Sequence, residues 1–370
     1  MISFFIKISA LLFMFTSTVW AFPPKPENVK WHPGHYYEVD SARKYDPAFL
    51  DEVYNELQNT PALRGLAIKY TWSELETSEG VYNLKHINAQ LDRLRLMRKR
   101  LIIIIRTKSF NIDEVPVPSY ITTNPIYKGG VFLYGANSTV PKGYNVKLWE
   151  TSVRYRLAQL VKGLGAKLNH RSIVEGIGFS ESTPGTAIAP APPITDDLII
   201  TYFNNLARLQ QRMREAFPNT VTFQFTNYPR WALIDFIPRL LGVGGGLGCP
   251  DIFPDDAGLN AIASLPDDPK VTSPGVYQYY RQLAGQMPLV IQVEKSNYEN
   301  TAYNGSGHTP TVNELLTYGR DNLKVNYILW QKTIKSLDQA LLEELNHPDN
   351  NSNPEGGLSS ACPTNFGSCI

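Results

Sequence analysis

The sequence predicts an α/β chain folded as a single-domain (β/α)8 TIM barrel, and three observations carry that expectation. Short apolar, β-branched runs alternate with longer amphipathic stretches, as in a parallel sheet covered by helices. Eight such runs occur over about 320 residues, the size range of a closed barrel. No glycine-rich phosphate turn follows the first run, where a doubly wound sheet would normally carry one.

In order, the runs are "VKWHPGHYY" from residue 29, "RGLAIKYTW" from 64, "RLIIIIRTK" from 100, "IVEGIGFSE" from 173, "TVTFQFTNY" from 220, "LGCPDIF" from 247, "PLVIQVEK" from 288 and "VNYILWQK" from 325. Helices are announced between them by start signals. These are Asp46-Pro47 before "AFLDEVYNEL", Thr195 with Asp196 and Asp197 before "LIITYFNNLARLQQRMREAF", and Ser273-Pro274 before "GVYQYYRQLAG". "NLKHINAQLDRLRLMRK" and "VKLWETSVRYRLAQLVKGLG" have helical apolar spacing. "GVGGGLG", residues 242–248, comes late and precedes a strand, so it reads as a loop and not as a nucleotide cradle. The connection from Thr107 to about Gly143, rich in proline, glycine and tyrosine, follows the third strand and is expected to wall or cover the site.

Residues 1–21, with Lys7 before an apolar run and Val19 and Ala21 at a small-residue cleavage site, read as a secretory signal peptide. The barrel is then expected over residues 22–345 and a polar, flexible tail over 346–370. The expected location is secreted or periplasmic. No later stretch approaches the ~20 apolar residues of a membrane span, so no integral membrane segment is expected after signal removal. Cys362 and Cys369 can pair in an oxidising compartment, whereas Cys249 suits a buried position. A net charge of +1 gives no electrostatic reason to expect nucleic acid as a partner.

Active sites of such barrels lie at the C-terminal ends of the strands. The fourth run ends in Glu181 and the seventh in Glu294. Carboxylates at the ends of apolar strands invite a shared function, with ion pairs at the barrel rim as the plainer explanation. Glu175, earlier on the fourth run, falls toward the other end of the barrel. Arg106, Lys108, Lys69 and Lys295 are placed to hold a carboxylate ionised. Trp72, Trp231, Trp330, Tyr228 and Tyr298 offer flat apolar faces at or beyond strand ends, with Trp330 the leading candidate.

The placement of Glu181 and Glu294, together with "WSELETSEGVYN" at residues 72–83, resembles the clan A retaining glycoside hydrolases of β-galactosidase and cellulase type. The resemblance implies an oligo- or polysaccharide substrate with a β-linkage, Glu181 as acid/base, Glu294 as nucleophile, and no cofactor or metal. Within the motif, Glu76 is expected to order the loop. Ser180 stands where the clan usually has asparagine, so the contact to the sugar 2-hydroxyl changes in reach and donor geometry. That departure keeps a second possibility open, a carbohydrate-binding barrel without catalysis.

Other chemistries find less support. His32 and His35, near the first strand, point in opposite directions if the segment is extended, which disfavours a shared metal. "DIFPDDAG" from 251, with three aspartates, could hold calcium or a sugar, but it suits an ordinary polar loop better. No G-x-S-x-G elbow, P-loop or C-x-x-C pattern occurs.

Overall fold

A computed structural model describes residues 24–40, 42–266 and 269–370. The segment read as a signal peptide, 1–21, lies outside the described residues. Eight parallel strands form a closed barrel: β1 (Gly34–Val39), β2 (Leu63–Thr71), β3 (Arg100–Arg106), β4 (Val174–Phe179), β5 (Val221–Phe225), β6 (Gly246–Cys249), β7 (Leu289–Val293) and β8 (Tyr327–Gln331). They pair in chain order, and β1 closes the ring against β8, with Tyr37 opposite Trp330. Each strand leads into a helix: α1 (Pro47–Asn59), α2 (Lys85–Leu96), α3 (Thr151–Leu168), α4 (Asp196–Ala216), α5 (Arg230–Gly242), α6 (Val276–Leu283), α7 (Val312–Thr317) and α8 (Lys335–Asn346). The chain is therefore the (β/α)8 barrel that the alternating pattern predicts. No helix among the described residues is long and apolar enough to cross a membrane.

The strands read as continuous apolar runs because both of their faces are buried. Ala67, Ile102, Ile104, Phe223, Phe225, Val290 and Leu329 fill the barrel interior, while Leu66, Ile68, Ile103, Ile105, Ile291 and Ile328 pack outward under the helices. On β4 the interior positions are small. A Cβ on Gly178 would lie 2.4 Å from the Phe223 ring, so the glycine makes the space that this phenylalanine occupies.

The connection after β3 carries two strands, Val131–Gly135 and Pro141–Val146, and Thr186–Ala187 from the β4–α4 connection pairs with the first of them. This three-stranded antiparallel sheet stands at the C-terminal end of the barrel. The bridge between Lys108 and Asn145 fastens it to the end of β3.

The tail expected to be mobile is instead packed across the opposite end. Val29 bridges to Cys369, and Trp31 N–H donates to the Ile370 carbonyl at 2.9 Å. Trp31 Nε1 donates to the Ser360 carbonyl at 2.8 Å, and its ring meets Phe366 and Tyr327 edge-on. Cys362 and Cys369 are disulfide-bonded with Cα atoms 5.9 Å apart. Low aliphatic content concealed this docking, which rests on Leu358, Phe366, backbone pairing and the disulfide.

His32 and His35 lie before and at the start of β1, not near its end as the longer first run suggested. His32 Nδ1 is 3.0 Å from Glu175, which also accepts from Tyr327 Oη at 2.8 Å; Glu175 thus falls at this N-terminal end, away from the Glu181 end. His35 Nδ1 accepts from Trp330 Nε1, so its Nε2–H donates to the Gly356 carbonyl, both at 3.0 Å. Burial depresses the His35 pKa to about 4 and keeps the ring neutral in this arrangement.

Because the buried Phe366 ring closes this end, Phe366→Ala should cost about 3 kcal/mol of stability in equilibrium urea unfolding. A change below about 0.5 kcal/mol, the range of surface substitutions, would mean that the segment is not docked in solution.

Candidate active site

The C-terminal ends of the strands surround one cleft of about 530 Å³. Asp40, Lys69, Arg106, Lys108, Ser180, Glu181, Asn227, Tyr228, Asp251, Gln292, Glu294 and Gln331 reach it from the ends of all eight strands. Glu181 and Glu294 thus share one cavity, as their positions at the ends of the fourth and seventh runs require.

Each glutamate has its own ammonium. Lys108 Nζ lies 3.0 Å from Glu181 Oε2, and its charge also sits over the Phe110 and Tyr134 rings. Lys69 Nζ lies 3.2 Å from Glu294 Oε1, 2.9 Å from Glu38 Oε1 and 3.8 Å from Asp40 Oδ2. Burial works against the Lys69 charge, but Glu38, Glu294 and Asp40 outweigh it and hold its pKa above the ordinary lysine value. Glu294 is positioned further by Gln292 Nε2, which donates to its carboxylate, and by Asn297 Oδ1, which accepts from its backbone N–H at 2.7 Å. Beneath them Glu38 is fully buried. Burial pushes its pKa up to about 8 despite the opposing pull of Lys69.

Ser180 borders the cleft. Its N–H donates to the Ile105 carbonyl and its carbonyl accepts from Gln224 Nε2, but its buried hydroxyl has no partner among the described residues. Arg106 lines the cleft and pairs with Asp40 and Glu114. Tyr228 lines it as well, its hydroxyl 3.5 Å from Asp256 Oδ1. Lys295 turns away, with Nζ 3.4 Å from Glu299.

Four of the expected aromatic contacts lie outside the cleft lining. Trp330 is fully buried on the outer face of β8, where it bonds His35 and packs under the helices. Trp72 is also fully buried: Nε1 donates to Glu76 Oε2 at 2.7 Å. Tyr298 packs in the outer core, and Trp231 lies on α5 against that core. In their place the cleft offers Phe110 and Tyr303, both largely exposed, as apolar faces.

Glu76 orders its loop as expected. It accepts from Trp72 and from the Gly80 N–H and pairs with Arg156 of α3, pinning the hairpin Glu76–Ser78/Val81–Tyr82 to the barrel wall.

Sequence reasoning passed over Asp40 and Asn227 and left Asp251 in an ordinary polar loop, although each stands one or two residues beyond a strand. That offset was their available signal. Burial raises Asp251 well above the ordinary aspartate range, with the Glu294 and Glu181 charges adding to it; Asn297 and Lys69 oppose them.

No family model and no curated protein matches the chain. Solved structures do. The catalytic domain of a β-amylase from Paenibacillus polymyxa is similar at TM-score 0.50 and 10% identity, covering 90% of this chain and 96% of that one. A β-galactosidase from Rahnella sp. R3 is similar at TM-score 0.53 and 11% identity, covering 83% of this chain and 51% of that one, so the match spans about half of its length. At these identities the likeness establishes the fold, a barrel shared with catalytic domains of glycoside hydrolases.

The raised Glu38 pKa gives a signed pH dependence. The native state retains this proton as pH rises from about 4.5 to 8, whereas the unfolded chain releases it, so the contribution to stability is full below that window and lost through it. Glu38→Gln has no such slope. Urea unfolding at the two ends of the window should therefore show the stability difference moving in favour of the variant at high pH; a pH-independent difference would contradict a proton on Glu38.

Proposed function

We propose that the chain is an exported glycoside hydrolase that cleaves a β-linked glycan by retaining double displacement. The observation that carries this reading is the sharing of one cleft by Glu181 and Glu294, from the ends of β4 and β7, each beside a lysine. Glu294, with the Lys69 ammonium at 3.2 Å, is placed to attack the anomeric carbon. Glu181, on the opposing strand end, gives a proton to the leaving oxygen and then takes one from the attacking water.

The surroundings fit a sugar. Phe110, Tyr228 and Tyr303 supply apolar ring faces, and the Asn227, Gln292 and Gln331 amides supply donors and acceptors for hydroxyls. Ser180 borders the cleft where the clan that the sequence resembles has the asparagine that contacts the sugar 2-hydroxyl, and its hydroxyl, buried in the free site, has no partner among the described residues. The glycosidase catalytic domains among the structural neighbours share the fold on which this chemistry is placed. The Cys362–Cys369 disulfide suits an oxidising compartment and supports export.

Glu294→Gln should abolish hydrolysis in a panel of β-glycosides and polysaccharides while glycan binding, read by calorimetry, persists. Glu181→Gln should lower kcat by roughly 10²–10⁴-fold, the worth of general acid catalysis. Unchanged turnover by Glu294→Gln would sink the nucleophile assignment. Glycan binding by a wild-type protein that hydrolyses nothing would favour a carbohydrate-binding barrel.

A further inference from the structure

Two exposed aromatic rings stand on opposite sides of the cleft. Phe110 belongs to the connection after β3 and Tyr303 to the connection after β7, and these strands lie opposite one another in the closed ring. Both residues line the cleft that holds Glu181 and Glu294, yet they are 63% and 72% exposed. A single apolar side chain on a surface needs no explanation, but two aromatic rings on opposite walls of one cleft do.

Each ring has a fixed support. Ser109, before Phe110, donates its N–H to the Tyr144 carbonyl at 2.8 Å, and its carbonyl accepts from Tyr134 Oη at 3.0 Å; Asn111, after it, donates its N–H to Ser109 Oγ at 3.0 Å. The Phe110 ring meets Tyr134 edge-on at 6.2 Å and lies 4.9 Å from Lys108 Nζ, the ammonium that pairs with Glu181. On the other side the Thr301 carbonyl accepts the Asp255 N–H at 2.8 Å, and Ala302 donates its N–H to Asn300 Oδ1 and accepts the Gly305 N–H, both at 2.9 Å. The Tyr303 ring meets Phe253, also of the cleft wall, edge-on at 5.9 Å. Rings supported in advance lose little entropy when a flat face covers them.

The strand ends that separate the two rings bring Glu181, Asn227 and Gln331 to the cleft, and Gln292 and Glu294 rise from the end of β7. Apolar faces at both sides with hydrogen-bonding groups between them complement a chain of pyranose rings, each of which has apolar C–H faces and a rim of hydroxyls.

We propose that the cleft takes the interior of a glycan chain, with Phe110 and Tyr303 stacking sugar rings on opposite sides of the bond presented to Glu181 and Glu294. The inference rests on the carbohydrate ligand of the glycosidase reading, and its binding half needs no catalysis. A single sugar at the two glutamates leaves at least one aromatic ring uncovered, whereas a chain covers both. Phe110 and Tyr303 thus set a preference for chain length and take no part in breaking the bond.

Calorimetry on the wild-type protein with sulfur-linked β-gluco-, galacto-, manno- and xylo-oligosaccharides, which resist hydrolysis, reads the binding half. From the methyl thioglycoside to the hexasaccharide, affinity should rise with length in at least one series. Phe110→Ala and Tyr303→Ala should each lower hexasaccharide affinity roughly tenfold and shrink that rise, while Phe110→Tyr and Tyr303→Phe, which keep the ring, retain it. Affinity independent of length in every series, no binding at all, or alanine variants that leave the rise intact overturns the proposal. Cleavage reads the sidedness: on a hydrolysable hexasaccharide labelled at its reducing end, the two alanine variants should move the first cut in opposite directions along the chain. Movement in the same direction, or none, overturns the placement on opposite sides. Length-dependent binding by a protein that hydrolyses no glycan removes the glycosidase reading alone, and hydrolysis with length-independent affinity removes this inference alone.

Discussion

The Lys69 ammonium is the contact on which the C-terminal end of the barrel depends. Parallel pairing sets β2 beside β1, so that Lys69 meets Glu38 and Asp40, and its reach across the barrel mouth brings it to Glu294 of the segment after β7. A buried cation among carboxylates is stable only when its attractions offset the desolvation of the group, and here three partners do so. Without it, Glu38, buried beneath the cleft, and Glu294, which lines it, would lose the ammonium they share. With it, charge is concentrated at the point where the proposed chemistry needs a nucleophile.

The two ends of the barrel use polar groups for different purposes. At the N-terminal end Glu175, His32 and Tyr327 satisfy one another, a neutral His35 links Trp330 to the docked C-terminal segment, and Trp31 and Phe366 cover the interior. At the other end charged groups border a cleft, and the buried Ser180 hydroxyl has no partner among the described residues. Closure at one end and available polar groups at the other fit a scaffold whose chemistry is confined to its C-terminal face.

Much of this was legible in the sequence because parallel barrel strands are buried on both faces, and a run such as "RLIIIIRTK" has few other uses. Glu181 and Glu294 stood out for the same reason: each is a carboxylate at the end of such a run. Side-chain direction was harder to read. Successive residues on a strand face opposite ways, so Trp330 faces the helices while its neighbour Leu329 faces the barrel interior. Asp251 looked like part of a polar loop because its neighbours come from β2, β4 and the segment after β7, far away in the chain. The C-terminal segment looked mobile because its apolar anchors Leu358 and Phe366 are spread among polar residues, while backbone pairing and a disulfide complete its attachment.

The most direct test of the central claim, that Glu294 attacks the sugar, is to trap the intermediate. A mechanism-based glycoside carrying a 2-fluoro group and a reactive leaving group, chosen after the substrate screen, should add one glycosyl unit to the intact protein. Peptide mapping by mass spectrometry should place that unit on Glu294. A glycosyl ester on another residue, or hydrolysis of the parent substrate with inversion of the anomeric centre, would contradict the account.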